Sequence, residues 1–319
     1  MFFIKAPKFW YKHPNIFLKY LLKPISCIYS IIAANNYKKA YKYKSVKSKI
    51  IAIGGMTTGG SGKTIVVKSI CDILRSQNKK TAILSRGYGR SSNEILAVNN
   101  AVHSYNDVGD EPLLLSKDFP VFVGQDRSKI AKLAEQDDFD YLVLDDGVMQ
   151  RSLEPDVRIL VIDDEQGIGN GETLPLGPNR IDFKIIKPDI DFVVILGYKK
   201  SFDVNKFKMF ADIPIVYGQL RQDFSNMKNR RILAFCGLGY PNKFFKSLKS
   251  YEVVKEIAFP DHYPYSEGDI LKLISDAQKL RAQLVTTEKD LIRIPKKYHK
   301  HIETISINVV WRSKNCFMF

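Results

Sequence analysis

The sequence predicts an α/β protein built on a mostly parallel sheet, with a second, smaller α/β domain behind it and an amphipathic helix in front. Three observations carry this. From residue 50 onwards short apolar strands alternate with helical patterns, the signature of a parallel sheet with crossover helices. A glycine-rich turn follows the first strand and opens into a helix. Residues 1–50 contain eleven lysines and no arginine, aspartate or glutamate, so they hold +11 of the net charge of +15. At 319 residues the chain can bury two cores. The expected division is 1–49 for the basic segment, 50–220 for the larger domain and 221–319 for the smaller.

In the basic segment, Leu18, Leu21, Leu22, Ile25, Ile28 and Ile32 recur at helical spacing, while Lys19, Lys23, Ser26 and Ser30 fall on another face. The longest uncharged apolar run, 24–34, is eleven residues, whereas a spanning helix needs about 20. Aromatics at Phe2, Phe3, Phe9, Trp10, Tyr11, Phe17 and Tyr20, and lysines at 38, 39, 42 and 44, flank the stripe. This pattern predicts a helix lying on an anionic membrane surface. Nucleic acid is the other polyanion a basic segment suits. The absence of arginine, and a stripe that would then have no use, argue against it. The four cysteines, Cys27, Cys71, Cys236 and Cys316, lie far apart without metal-ligand spacing, which suits a reducing compartment and inert thiols.

The first strand, Ile50-Ile51-Ala52-Ile53, feeds Gly54-Gly55-Met56-Thr57-Thr58-Gly59-Gly60-Ser61-Gly62-Lys63-Thr64, and Val66, Val67, Ile70, Ile73 and Leu74 continue as an amphipathic helix. Strand, glycine turn and helix are the context of a phosphate-binding loop, which makes the larger domain P-loop NTPase-like. Glycines let successive N–H groups converge on phosphate oxygens, and the helix N-terminus adds its positive end. Thr57, Thr58, Gly59, Gly60, Ser61, Gly62, Lys63 and Thr64 are therefore the candidate ATP-binding residues. Lys63 suits the β- and γ-phosphates and Thr64 suits Mg²⁺. The strict pattern has glycine six residues before the lysine, where this chain has Thr57.

Further strands are expected at 81–84, 120–123, 141–144, 158–162, 192–196, 232–235, within 251–259 and at 284–287, with a helix from Leu113. A segment rich in proline and glycine, 167–180, interrupts the alternation, and the lysine-rich stretch 199–208 is expected to be solvated. Asp145 and Asp146 end an apolar strand downstream of the P-loop, the Walker B arrangement for Mg²⁺. Asp110 and Glu111, stiffened by Pro112, offer a carboxylate to orient an acceptor hydroxyl, although such a pair also serves as a helix cap. Arg86, Arg127 and Arg180 lie in glycine- or proline-rich loops where arginine can clamp phosphate. His262, in Phe259-Pro260-Asp261-His262, admits a structural or a catalytic role.

Together these motifs resemble the tetraacyldisaccharide 4′-kinase family. The family's Gly-Asn-x-Thr-x-Gly-Gly-x-Gly-Lys-Thr loop is matched at 54–64 except at Gly55, and its threonine falls on Thr57. Ser-Arg-Gly-Tyr-Gly-Arg (85–90), Gly-Asp-Glu-Pro (109–112), Gly-x-Asp-Arg (124–127), Asp-Asp-Gly-x-x-Gln (145–150) and Leu-Pro-x-Gly-Pro-x-Arg (174–180) follow in order. The second half adds Gly-x-Gly-x-Pro-x-x-Phe-Phe (237–245), Phe-Pro-Asp-His (259–262) and Thr-Thr-Glu-Lys-Asp (286–290). Arg151, Ile65 and Ile181 stand where the family usually has histidine, proline and glutamate.

The resemblance implies transfer of the γ-phosphate of ATP, with Mg²⁺, to the 4′-hydroxyl of an acylated glucosamine disaccharide 1-phosphate, giving lipid IVA. It implies a site between two α/β domains, Asp110 as base assisted by His262, and a peripheral location on the cytoplasmic face of the inner membrane. No obligate protein partner is implied. The competing expectation is a membrane-docked P-loop ATPase or GTPase switch without a lipid acceptor.

Overall fold

Alternate residues of the first strand decide the layers. The computed structural model describes residues 7–12, 14–43, 46–198, 204–224, 227, 231–312 and 317. In β1 (Lys49–Gly55), Ile51 and Ile53 enter one buried layer and Ile50 and Ala52 the other, the period-two alternation of any strand. The remaining strands are β2 (Thr81–Ser85), β3 (Leu96–Ala97), β4 (Val121–Val123), β5 (Tyr141–Asp145), β6 (Val157–Asp163) and β7 (Phe192–Gly197), then β8 (Ile215–Asp223), β9 (Arg231–Cys236), β10 (Glu252–Ala258), β11 (Gln283–Thr287) and β12 (Ile302–Trp311). They form one twelve-stranded sheet in the order β10-β9-β11-β12-β8-β7-β6-β1-β5-β2-β4-β3. Every neighbouring pair is parallel except β12–β8 and β4–β3.

Helix Lys63–Ser76 buries Val66, Val67, Ile70, Cys71 and Leu74, one stripe at 3.6 spacing, on the Ile51/Ile53 face. On the opposite face, helix Arg127–Ala134 packs Ile130, Ala131 and Ala134 against Ile50, Ala52 and Leu144. The C-terminal strands have buried layers of their own: Leu233, Phe235, Ile270 and Leu284 on one side, and Ile232, Ala234, Phe244 and Val285 on the other.

Every strand expected from the sequence is present, and the helix expected from Leu113 begins three residues earlier, at Asp110. Three strands are additional: β3, β8 and β12. Residue 220, the expected boundary, lies inside β8, which pairs antiparallel with β12 and so ties the halves into one sheet. Gly218 makes that pairing possible, because a Cβ there would stand 2.7 Å from Leu196 Cδ2 and 2.8 Å from Val309 Cγ1. The stretch expected to be solvated is partly core: residues 199–203 lie outside the described residues, but Phe207 and Phe210 of the following 3₁₀ turn are buried beside Phe183. Phe2, Phe3, Lys44 and Cys316 also lie outside the described residues. Cys71 and Cys236 are buried free thiols, while Cys27 is exposed.

Helix Ile16–Tyr37 is capped by Asn15, whose side chain accepts from the Leu18 N–H. Its small and polar side faces the protein. Ser26 Oγ donates to the carbonyl of Thr173 (2.9 Å), and Lys23 pairs with Glu172 (2.7 Å). Tyr37 donates to Asp189 Oδ2 (2.7 Å) beneath the stacked guanidinium of Arg151. Ile16, Phe17, Tyr20, Leu21, Ile25, Ile28, Ile31 and Ile32 are all more than half exposed. The stripe thus differs from the expected one, since Leu18 and Leu22 turn partly towards the body. The helix is also longer than its eleven-residue apolar run: at 22 residues it is long and apolar enough to cross a membrane by length and composition, about 33 Å at 1.5 Å per residue.

Candidate active site

Parallel strands bring their carboxyl ends to one edge, so the loops after β1, β5, β2 and β6 converge there. Gly62 caps helix Lys63–Ser76 with φ +84°, and a Cβ on it would lie 2.8 Å from Leu196 Cδ1. Only glycine fits that turn. Gly59 (φ +106°) and Gly60 border open space. The N–H groups of Lys63 and Thr64, in the first helical turn, have no acceptor within the helix and suit phosphate oxygens. The Ser61 hydroxyl is buried without a protein partner among the described residues. These features fit a triphosphate.

The two threonines of the loop do a different job from the glycines. Thr57 is buried and forms an isolated bridge with Asn179. Thr58 donates to the Pro178 carbonyl through its N–H (2.9 Å) and its hydroxyl (3.3 Å). Segment 167–180 therefore braces the P-loop. The same segment accepts from Trp10 Nε1 at the Pro175 carbonyl (2.9 Å) and holds Ser26 through Thr173. Gly55, where the family pattern has asparagine, leaves room for Ser61: a Cβ there would meet Ser61 Oγ at 2.6 Å. Ile65 and Ile181 pack into the apolar layers.

Asp145 closes β5, fully enclosed, with Oδ2 accepting from Ser85 Oγ (3.2 Å) and Oδ1 without a protein partner among the described residues. Burial, reinforced by the charges of Glu111 and Asp146, pushes its carboxyl up to about 7, against the pull of Lys63 and Arg127. Such an orphaned, charge-starved carboxylate fits a divalent cation. Asp146 follows in the left-handed region (φ 52°). Burial alone would raise its carboxyl, but Lys63, with Nζ 3.7 Å away, and Arg180 hold it well below the usual range. Arg180 grips it with two 2.8 Å hydrogen bonds and also donates to the Gly55 carbonyl. This guanidinium, expected at substrate phosphate, is spent on aiming Asp146.

Arg127 is likewise buried and donates to the carbonyls of Gly124 (2.9 Å) and Asp145 (3.3 Å), bracing the end of β5. Burial lowers its pKa to about 10. Of the arginines expected to meet substrate, Arg86 is exposed at the carboxyl end of β2.

The acceptor side joins distant parts of the chain. Asp110 starts helix Asp110–Leu115 and is buried. Its Oδ1 accepts from the Glu111 N–H (2.9 Å), and its Oδ2 lies 2.8 Å from His262 Nδ1. Burial would raise this carboxyl, but the cation of Lys289, His262 and Arg293 hold it well below the usual range. His262 is left-handed (φ 55°), with its N–H on the Gly237 carbonyl and its ring 5.7 Å from that of Tyr88. Non-glycine residues in this region cost roughly 1–3 kcal/mol and concentrate at functional sites. Glu111 Oε1 accepts from Lys289 Nζ (3.0 Å).

Two residues here escape sequence reasoning. Lys289 belongs to the Thr-Thr-Glu-Lys-Asp motif, yet nothing local says that it points at His262. Lys243 pairs with the buried Asp163 from the other half. A lysine after a strand's end is the only local signal either offers.

The tetraacyldisaccharide-1-P 4′-kinase family matches residues 18–317. A tetraacyldisaccharide 4′-kinase of Rhodopseudomonas palustris (strain BisA53) is 36% identical over 297 residues, covering 91% of this chain and 86% of that one. One from Methylorubrum extorquens (strain PA1) is 34% identical, covering 98% and 96%. The "apo" form of LpxK from Aquifex aeolicus in complex with ATP superposes with a TM-score of 0.72 at 28% identity, over 92% of this chain and 95% of that one.

The raised carboxyl of Asp145 gives a signed prediction. Without metal, the folded protein holds this proton up to about pH 7, whereas the unfolded chain releases it near 3.9. Stability from this group therefore falls as pH rises between those values. Asp145→Asn removes the penalty, so metal-free melting at pH 8 should rise by a few degrees while Mg²⁺-dependent turnover is lost. A lower melting temperature in the variant would contradict the assignment.

Proposed function

Because this chain belongs to the tetraacyldisaccharide-1-P 4′-kinase family, we infer that it is the ATP-dependent lipid kinase of that name. It transfers the γ-phosphate of ATP to the 4′-hydroxyl of a tetraacyldisaccharide 1-phosphate, giving lipid IVA in lipid A biosynthesis. The observation that carries the reading at the level of residues is the Asp110–His262 contact at 2.8 Å. It supplies a buried carboxylate for an alcohol acceptor, beside a P-loop and a Walker B pair. A nucleotide switch without a lipid acceptor has no use for it.

In this mechanism the P-loop N–H groups and Lys63 would hold the β- and γ-phosphates, and Thr64, Asp145 and Asp146 would hold Mg²⁺. Mg²⁺ held there would supply charge neutralisation for the phosphates. Asp110 accepts a hydrogen bond from the 4′-hydroxyl and takes its proton as the new O–P bond forms and the β,γ-bridge breaks. A carboxylate held strongly ionised is a weak base, but phosphoryl transfer passes through a loose transition state that needs little prior deprotonation of the nucleophile. Orientation is its larger contribution. Lys63 meets the charge that grows on the departing diphosphate.

The same proposal places the enzyme peripherally on the cytoplasmic face of the inner membrane, where ATP is supplied. The exposed apolar side of helix Ile16–Tyr37 supports lipid contact. Its other side, fixed to the body at Lys23 and Ser26, favours lying on the bilayer over crossing it. The buried layers around β9, β10 and β11 support a two-domain division that falls after β8, with β12 shared between the two sets of strands.

With γ-labelled ATP and the lipid acceptor in detergent, label should enter lipid. Lys63→Ala should lower kcat/KM more than tenfold, above about 1.4 kcal/mol. Asp110→Ala should lower kcat roughly 10²–10⁴-fold with ATP affinity unchanged. Label appearing only as free phosphate, or lost ATP binding in Asp110→Ala, would contradict the assignment. For the helix, Ile28→Gln with Ile32→Gln should weaken binding to anionic vesicles without changing melting. Binding of the unsubstituted protein should weaken with salt, and salt-resistant retention would argue for a spanning anchor.

A further inference from the structure

Lys289 is the second residue of helix Glu288–Leu291, at the carboxyl end of β11. Its Nζ lies 3.0 Å from Glu111 Oε1, 3.4 Å from His262 Nε2 and 3.9 Å from Asp110 Oδ2. An ammonium has three donors and no lone pair, so towards Nε2 it can only donate. The imidazole of His262 has three protonation states, and two of them clash with their surroundings. An imidazolium would set its Nε2–H against the ammonium. A neutral ring protonated on Nε2 would set the lone pair of Nδ1 against the Asp110 carboxylate at 2.8 Å. The third state, neutral and protonated on Nδ1, satisfies both neighbours.

We propose that Lys289 is a positioning residue that fixes His262 as the neutral, Nδ1-protonated tautomer, so that the ring always donates to Asp110 and leaves the proton-accepting role to that carboxylate. This rests on the reading of Asp110 as the base.

The opposing charges make the device necessary. His262 Nε2 also lies 3.9 Å from Asp261 Oδ1. Without Lys289 the ring would stand between two carboxylates, one at each nitrogen, an arrangement that stabilises the imidazolium. Arg293 Nε faces Asp110 Oδ2 from the far side at 3.9 Å, Glu111 pairs with Lys289 rather than the ring, and Tyr88 contributes an uncharged face. Burial would favour loss of the Lys289 proton, but Glu111, Asp110 and Asp261 together raise its pKa, so it remains a donor.

Lys289→Met should therefore let His262 charge. Paired with an imidazolium, Asp110 is a poorer proton acceptor, so turnover should fall on the acid side. The test uses the full chain in detergent with ¹⁵N-labelled histidine, His262 being assigned by its absence in His262→Gln. Unsubstituted protein should show a protonated Nδ1 and a lone-pair Nε2, unchanged from pH 6 to 8, with kcat flat over that range. Lys289→Met should show a titrating imidazolium and a kcat at least tenfold lower at pH 6 than at pH 8, with KM for ATP within twofold of the unsubstituted value. Lys289→Arg, which keeps a cationic donor, should restore the flat profile.

An imidazolium or Nε2-protonated ring in the unsubstituted protein would overturn the proposal, a result that needs no variant to fold. So would a loss of activity in Lys289→Met that is uniform with pH while the His262 spectrum is unchanged. Full transfer by Asp110→Ala would instead remove the base assignment and leave the tautomer result standing.

Discussion

The 2.8 Å contact between Asp110 Oδ2 and His262 Nδ1 joins residues 152 positions apart, and much of the architecture maintains it. Asp110 is delivered by the connection between β3 and β4, His262 by the turn after β10, and Lys289 by the end of β11. No local segment contains all three. They meet because β12 returns from the C-terminal half to pair with β8, which makes one continuous sheet of two sets of strands. The Lys289–Glu111 and Lys243–Asp163 pairs cross between the same two sets. Such contacts are charge-assisted and partly desolvated, so each is sensitive to losing one partner.

Segment 167–180 has a comparable role on the nucleotide side. It breaks the strand–helix alternation because it serves as a brace. Its Asn179 is fully buried and donates to the carbonyls of Ile168 and Glu172, which fixes the loop's shape from within. From that base, Pro178 and Asn179 hold the P-loop threonines, Arg180 aims Asp146, and Thr173 with Glu172 holds the exposed helix. One loop thus connects the surface that faces outward with the residues proposed to meet phosphate and metal.

Apart from β3, the strands between residues 50 and 196 were legible because they are short, apolar and bounded by turn residues, and the P-loop because the glycine spacing before Lys63 suits a phosphate-binding turn and little else. β8 and β12 were not, since both carry polar residues at alternating, half-exposed positions, and β8 holds an internal glycine. The candidate pairs Asp110/Glu111 and Asp145/Asp146 were visible as acids after strands or before a helix. What arginines do was not visible. Arg127 and Arg180 have the composition and setting of phosphate clamps, yet buried acceptors within the protein claim them first. The exposed helix face was legible as a period but not in its rotation, because Ser26 and Tyr37 are buried against the body and Leu18 and Leu22 turn partly with them. Lys289 was illegible for a plainer reason: its partners are set by the pairing of distant strands.

The central claim is that a carboxylate from one half and an imidazole from the other work as a unit. The direct test is a double-mutant cycle on kcat with Asp110→Ala, His262→Ala and both together, at saturating ATP and lipid acceptor. Residues acting as a unit give strongly non-additive losses, so the double variant should lose little more than the worse single variant. A double variant whose loss equals the product of the two single losses would mean that Asp110 and His262 act independently, and would contradict the account.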